Sequence, residues 1–310
     1  MKKITISLLL FLALLLTACG SSGDVEGSGD RPIKVVASFT IIADMAEQIG
    51  GDLLEVYTLV PSGTDPHEYE PMPNDIKAAT DADVLLYNGI NLEGGQKGWF
   101  WKMVRSINKS EDVIYELSVG VEPKYLMEGD SESEVNPHAF IDPHVGMIMA
   151  ENLKDALVKV DPDNKETYEK NHETYLSRLM EIDKTYQETI DAIAEENKIL
   201  ITSELAFQYM TDRYGLREAS VWEIDTEELG TTEQLKALIQ YIKEDTPPYL
   251  FMESNVDPKP LEQVSKETGV PIYIEHIYAD EIGNKGDKVD TYIKFLEHNI
   301  RIIGEGLGSN

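Results

Sequence analysis

One segment restricts the fold of this chain more than any other. Between residues 162 and 197 the apolar positions Tyr168, Tyr175, Leu179, Ile182, Tyr186, Ile190 and Ile193 recur at steps of three, four or seven, the spacing of a single helical stripe. Asp161 can cap the start, and Pro162 suits the first turn, where its missing N–H has no partner to lose. A helix over residues 162–197 would run about 54 Å at ~1.5 Å per residue, enough to back a whole two-part molecule. Sustained heptads are missing, so the stripe is not a free coiled coil. It needs other elements to cover it.

Those elements lie on both sides. Before the stripe, the β-rich run 33–38 (IKVVAS) leads into helical spacing over 41–49, stopped by Gly50-Gly51; a strand-like run at 53–60, a Pro/Gly-rich loop at 61–73, a helical stretch to Ala82 and the strand 84–87 follow. After it, strand-like runs at 199–201, 218–222, 249–252 and 272–274 alternate with helical stretches at 206–214, 232–244 and 259–268, and a helix over 287–303 closes the chain. Strands alternating with helices imply parallel sheets. The expected fold class is therefore α/β, with two lobes, each a mostly parallel sheet flanked by helices, joined by one long rigid backbone helix. The expected boundaries are 31–161 for the N-terminal lobe, 162–197 for the linking helix and 198–310 for the C-terminal lobe. A ligand is expected between the lobes, where strand C-termini face one another.

The N-terminus reads as an address. Lys2 and Lys3 precede an apolar run over 4–16 that is too short to span a membrane comfortably, so residues 1–18 form a signal peptide. The run ends in Leu16-Thr17-Ala18-Cys19, similar to the lipobox of bacterial lipoproteins, in which the cysteine is acylated and becomes the first mature residue. Residues 19–30 are mostly Gly, Ser and acid and form a flexible tether. The protein is thus expected on the extracellular face of the bacterial cell membrane, held by a lipid anchor on Cys19.

Charge and cysteine count then narrow the chemistry. With 27 Lys plus Arg against 57 Asp plus Glu, the formal charge is −30, and losing Lys2 and Lys3 with the leader makes it −32. Binding to nucleic acid by phosphate neutralisation is excluded, and a cation is the natural ligand. Cys19 is the only cysteine, so an internal metal would have oxygen and nitrogen donors alone.

Two histidines stand in similar settings, Asp65-Pro66-His67 and Asn136-Pro137-His138, each after a proline in a loop; His144, in Asp142-Pro143-His144, competes with His138. Two acids follow strand-like runs in the second half, Glu204 after 199–203 and Asp280 after 273–279. Such an acid sits at the usual ligand crevice of a parallel sheet, or merely caps a helix or a turn.

At these positions the chain resembles the cluster 9 family of ABC-transporter substrate-binding proteins, the lipoprotein receptors for manganese, zinc and iron(II). The similarity runs through DPHEYEP (65–71), NLEGG (91–95), WFWKMV (99–104), NPHAFIDP (136–143), TSELAFQYM (202–210), WEIDTEELGT (222–231), ESNVDPKP (253–260) and YADEIGNKGD (278–287). The resemblance implies four metal ligands, His67, His138, Glu204 and Asp280, and favours His138 over His144. Asn136 stands where Asp is common and Phe140 where Trp is common; neither is in the implied ligand set, and little consequence is expected.

Two imidazoles and two carboxylates neutralise a divalent ion and suit Mn(II) first, then Fe(II). Zinc-type members resemble a three-histidine set with a His-rich loop, whereas residues 122–135 hold no histidine. The implied function is a high-affinity manganese receptor that delivers its ion to a membrane permease driven by a cytoplasmic ATPase, acting as a monomer; a zinc or iron(II) receptor, or an adhesin with a structural metal, is the alternative. An enzyme is not expected: HExxH, GxSxG and P-loop motifs are missing, and four protein ligands leave a catalytic ion no open position.

Overall fold

The computed structural model describes residues 31–126, 135–224 and 231–308. The expected signal peptide, the expected tether and Cys19 lie outside the described residues. The first lobe runs β1 (Ile33–Phe39), α1 (Thr40–Gly50), β2 (Leu54–Val60), α2 (Pro73–Asp81), β3 (Val84–Tyr87), α3 (Trp99–Ser106) and β4 (Ile114–Glu116), then a 3₁₀ turn (His138–Ile141) and α4 (Pro143–Val160). Its strands form one parallel sheet in the order β2-β1-β3-β4. Central β1 is apolar and buried almost throughout, as a parallel strand covered on both faces must be.

The stripe forms α5 (Lys165–Asp191), with 3₁₀ turns at Pro162–Asn164 and Glu195–Asn197. Its buried residues are Tyr168, His172, Tyr175, Leu179, Ile182, Tyr186 and Ile190. The regular helix is shorter than the stripe because Ala194 takes an extended backbone. Still about 40 Å long at ~1.5 Å per residue, α5 touches both lobes: Asn171 donates to the Ile49 carbonyl of α1, and Tyr186 donates to the Leu296 carbonyl of the last helix.

The second lobe contains β5 (Ile199–Glu204), α6 (Gln208–Tyr214), β6 (Arg217–Trp222), α7 (Thr232–Glu244), α8 (Lys259–Thr268) and α9 (Tyr292–Leu307). Beside the parallel β5–β6 pair, Phe251 donates its backbone N–H to Ile201, and parallel bridges join Leu250 to Ile272 and Glu253 to Ile277. The order β6, β5, residues 250–253, residues 272–277 repeats the first lobe's arrangement. Alternation along β5 is explicit: Ile199 and Ile201 pack with Leu238 and Val264 under α7 and α8, while Leu200 faces the opposite core with Ile303.

The last helix begins later than the sequence spacing predicts and extends further, at Tyr292–Leu307 rather than 287–303. Asp287 and Asp290 instead accept the backbone N–H groups of Asn284 and Gly286 in a turn, and Thr291 caps the helix by accepting from Lys294. Gly304 on α9 lies against Thr189 of α5, where a Cβ would come within 2.5 Å of a methyl group. No helix among the described residues is long and apolar enough to cross a membrane.

Neighbouring positions on α5 separate the buried stripe from the wet face. Leu179 is fully buried and Met180 is 57% exposed. Leu179→Ala should cost about 2–5 kcal/mol through lost burial and a cavity, and Met180→Ala within about 0.5 kcal/mol. Equal losses in urea denaturation would contradict this packing.

Candidate metal centre

Each lobe delivers two side chains to the facing C-terminal edges of its sheet. His67 sits on the loop after β2, where its own N–H donates to Asp65 Oδ1 and Trp99 Nε1 donates to the Pro66 carbonyl. His138 opens the 3₁₀ turn ahead of α4. Glu204 ends the wholly buried β5, and Asp280 follows residues 272–277, its Oδ2 accepting from Asn255 Nδ2 at 3.0 Å.

The structure brings all four together: one nitrogen or oxygen from each lies within 4.8 Å of the others. The two Nε2 atoms are 3.2 Å apart. His138 Nε2 is 3.0 Å from Asp280 Oδ1 and 3.5 Å from Glu204 Oε1; His67 Nε2 is 3.6 Å and 4.0 Å from the same atoms. The side chains of His138 and Glu204 are 0% exposed, Asp280 3% and His67 8%. His144 stands apart, its backbone N–H donating to Asp142 at the start of α4.

The donor set lacks positive charge. Asn136 Oδ1 lies 2.9 Å from His138 Nδ1 and can only accept, so the ring proton is on Nδ1 and the Nε2 lone pair points into the cluster. Asp280 Oδ1, also buried, receives no hydrogen bond. Burial holds His138 below the ordinary imidazole pKa, against the pull of Asp280. For Asp280, burial raises the pKa, but the pull of His138 and His67 on its charged form outweighs burial and keeps the carboxyl below the usual range, so a proton entering the cluster goes to an imidazole rather than to this carboxylate. Buried carboxylates beside the Nε2 lone pair of His138 suit a cation.

Residues outside the cluster hold it in place. Glu253 accepts the backbone N–H groups of Ser203 and Glu204. Sequence reasoning passed over it, although it follows an apolar run just as Glu204 does; its carboxylate turns to the backbone of the neighbouring strand. Asn136, set aside on sequence as a departure outside the ligand set, bonds His138 directly. Behind His138, the Asn88 side chain donates to the Pro137 carbonyl, and Glu93 accepts the N–H groups of Asn88 and Gly89. On the other side, Gly63 N–H and the Ser62 hydroxyl reach Glu281 across the lobes.

Two α/β lobes meeting over a buried cluster of small donors have the build of a substrate-binding receptor. The family described as zinc-uptake complex component A, periplasmic, matches residues 35–306, and the chain belongs to that family. It is 43% identical over 308 residues to the iron ABC transporter substrate-binding lipoprotein MtsA of Streptococcus pyogenes, with 99% of each chain covered. It is 41% identical, at the same coverage, to the manganese ABC transporter substrate-binding lipoprotein PsaA of Streptococcus anginosus. Among solved structures, the Mn-bound periplasmic metal binding protein from Candidatus Liberibacter asiaticus matches with a TM-score of 0.78 at 26% identity, covering 89% of this chain and 100% of that one.

Burial lifts the Glu93 carboxyl from 4.5 to about 7, its hydrogen-bond donors opposing the rise. A group raised in the fold contributes its full stability below the unfolded value and loses it as pH climbs through the folded one. The stability of wild type relative to Glu93→Gln should therefore fall between about pH 4.5 and 7 and then level off. Urea denaturation in chelator across that range checks this; parallel curves would contradict it.

Proposed function

We propose that the chain is an extracellular receptor that captures one divalent metal ion through His67, His138, Glu204 and Asp280 and passes it to an ABC permease driven by a cytoplasmic ATPase. The observation that carries this reading is the buried convergence of two imidazoles and two carboxylates, one pair from each lobe. The two carboxylates balance a charge of +2, which makes burial of the ion tolerable. Donors from both lobes surround the ion, which suits capture and release better than catalysis, since catalysis needs an open coordination position.

Manganese is the favoured cargo, because hard carboxylate oxygens with imidazole suit Mn(II) and can raise the coordination number beyond the four that zinc prefers. Iron(II) is the second reading; it is supported by the relative of comparable identity that is named for iron. The same donors should bind Zn(II) more tightly in vitro, by the Irving–Williams order. Cargo therefore has to be judged from metal content in the native host. The receptor acts as a lipid-anchored monomer on the outer face of the membrane, tethered through Cys19.

Calorimetry with Mn(II) should give one ion per chain. His67→Ala, His138→Ala, Glu204→Ala and Asp280→Ala should each weaken binding at least about a hundredfold, since each removes a ligand outright and outer-shell changes alone cost 10–100-fold, whereas His144→Ala should leave it unchanged. Undiminished binding in the ligand variants would overturn the assignment. Protons compete for the same nitrogens, and because burial holds His138 below the ordinary imidazole value, affinity should hold down to about pH 6.5 and fall on further acidification.

Anchoring is tested separately. Cys19→Ser should release the protein from the membrane fraction with its metal affinity intact, because a diacylglyceryl group acts independently of the folded lobes. A variant that stays in the membrane fraction would contradict the lipoprotein reading.

A further inference from the structure

Asn136 is fully buried, and every hydrogen-bonding group it owns is engaged at the lobe interface. Its Oδ1 accepts from the His138 backbone N–H at 3.1 Å and from the His138 ring at 2.9 Å. Its Nδ2 donates to the Leu205 carbonyl at 2.7 Å and to Gln208 Oε1 at 3.3 Å. Its backbone N–H donates to the Lys124 carbonyl, and its own carbonyl accepts from the Tyr209 hydroxyl. The partners fix the amide orientation, with the oxygen facing two donors and the nitrogen two acceptors.

The connections link two ligands from different lobes. His138 belongs to the first lobe; Leu205 directly follows Glu204 in the second, and its own N–H is tied to the Trp222 carbonyl at the end of β6. One side chain thus orients the imidazole and holds the peptide beside the carboxylate. We propose that Asn136 is a positioning residue that presets the His138–Glu204 half of the site, fixing the ring with its oxygen and the lobe spacing with its nitrogen. An aspartate here would keep the acceptor but would place an anionic oxygen against the Leu205 carbonyl. The two halves of the amide therefore have separable roles. The inference rests on metal binding by the four-residue cluster.

Co(II) serves as the probe, because its visible absorption reports coordination geometry as well as occupancy. In wild type, Asn136→Ala, Asn136→Asp and His67→Ala, Co(II) affinity, dissociation rate into excess chelator and the Co(II) spectrum are measured on the full mature chain. Asn136→Ala should lose about 10–100-fold in affinity, the usual effect of removing a partner that orients a ligand, with an altered spectrum. Asn136→Asp should keep the wild-type spectrum but release Co(II) several-fold faster. A merely structural residue would lower thermal stability without moving spectrum or dissociation rate. Asn136→Ala within twofold of wild type in affinity, with the same spectrum, overturns the inference while the metal reading stands. Should Asn136→Ala fail to fold, Asn136→Asp carries the test, and wild-type dissociation by it overturns the proposal. Wild type that takes up no Co(II), or His67→Ala that binds like wild type, overturns the metal reading and this inference together.

Discussion

The arrangement depends on polar groups held out of water. Two carboxylates and two imidazoles, gathered within 4.8 Å and buried, give up the hydration they would keep in an open chain. Burying charge is costly, so the scaffold has to supply the work of assembly. It does so through fixed partners: the Asn255 amide on Asp280, backbone N–H groups of Ser203 and Glu204 on Glu253, and the Asn136 amide on His138. Each contact orients a donor or its backbone without neutralising the charge.

The scaffold owes its stiffness to a simple plan. Both lobes present the C-terminal ends of parallel strands, and their shared strand order leaves a crevice at the same place in each. Helix α5 runs behind both lobes, with Tyr186 and Asn171 tying it to α9 and α1. Across the site, Glu281 reaches Ser62 and Gly63 on one flank, and Tyr209 and Asn136 join the lobes on the other.

Much of this was legible in the residue order, because burial imposes periodicity. The stripe from Tyr168 to Ile190 and the alternation of strands and helices identified the α/β class and the linking helix. Thr231 and Gln234 form a reciprocal cap at the start of α7, consistent with a helix beginning at Thr232. Helix ends governed by side chains reaching elsewhere were less visible: Asp287 looks like a helix start until its carboxylate is seen to accept from Asn284. For the cluster, Pro-His and strand-end acids were ambiguous on spacing alone, and only the extended resemblance singled out four residues. Glu253 and Asn136 escaped notice because their roles lie in which atoms they face, and a linear pattern carries no orientation.

The cluster is also dispersed along the chain. His67 and His138 are 71 residues apart, and Glu204 and Asp280 follow at comparable intervals. Bringing such distant groups together in an unfolded chain means closing long loops with little return per contact. Before folding, then, the chain offers an ion only scattered single donors, and a fragment ending before Asp280 lacks a full set. On the proposed reading, competence to sequester metal therefore belongs to the folded chain as a whole and depends on closure of its most non-local contacts.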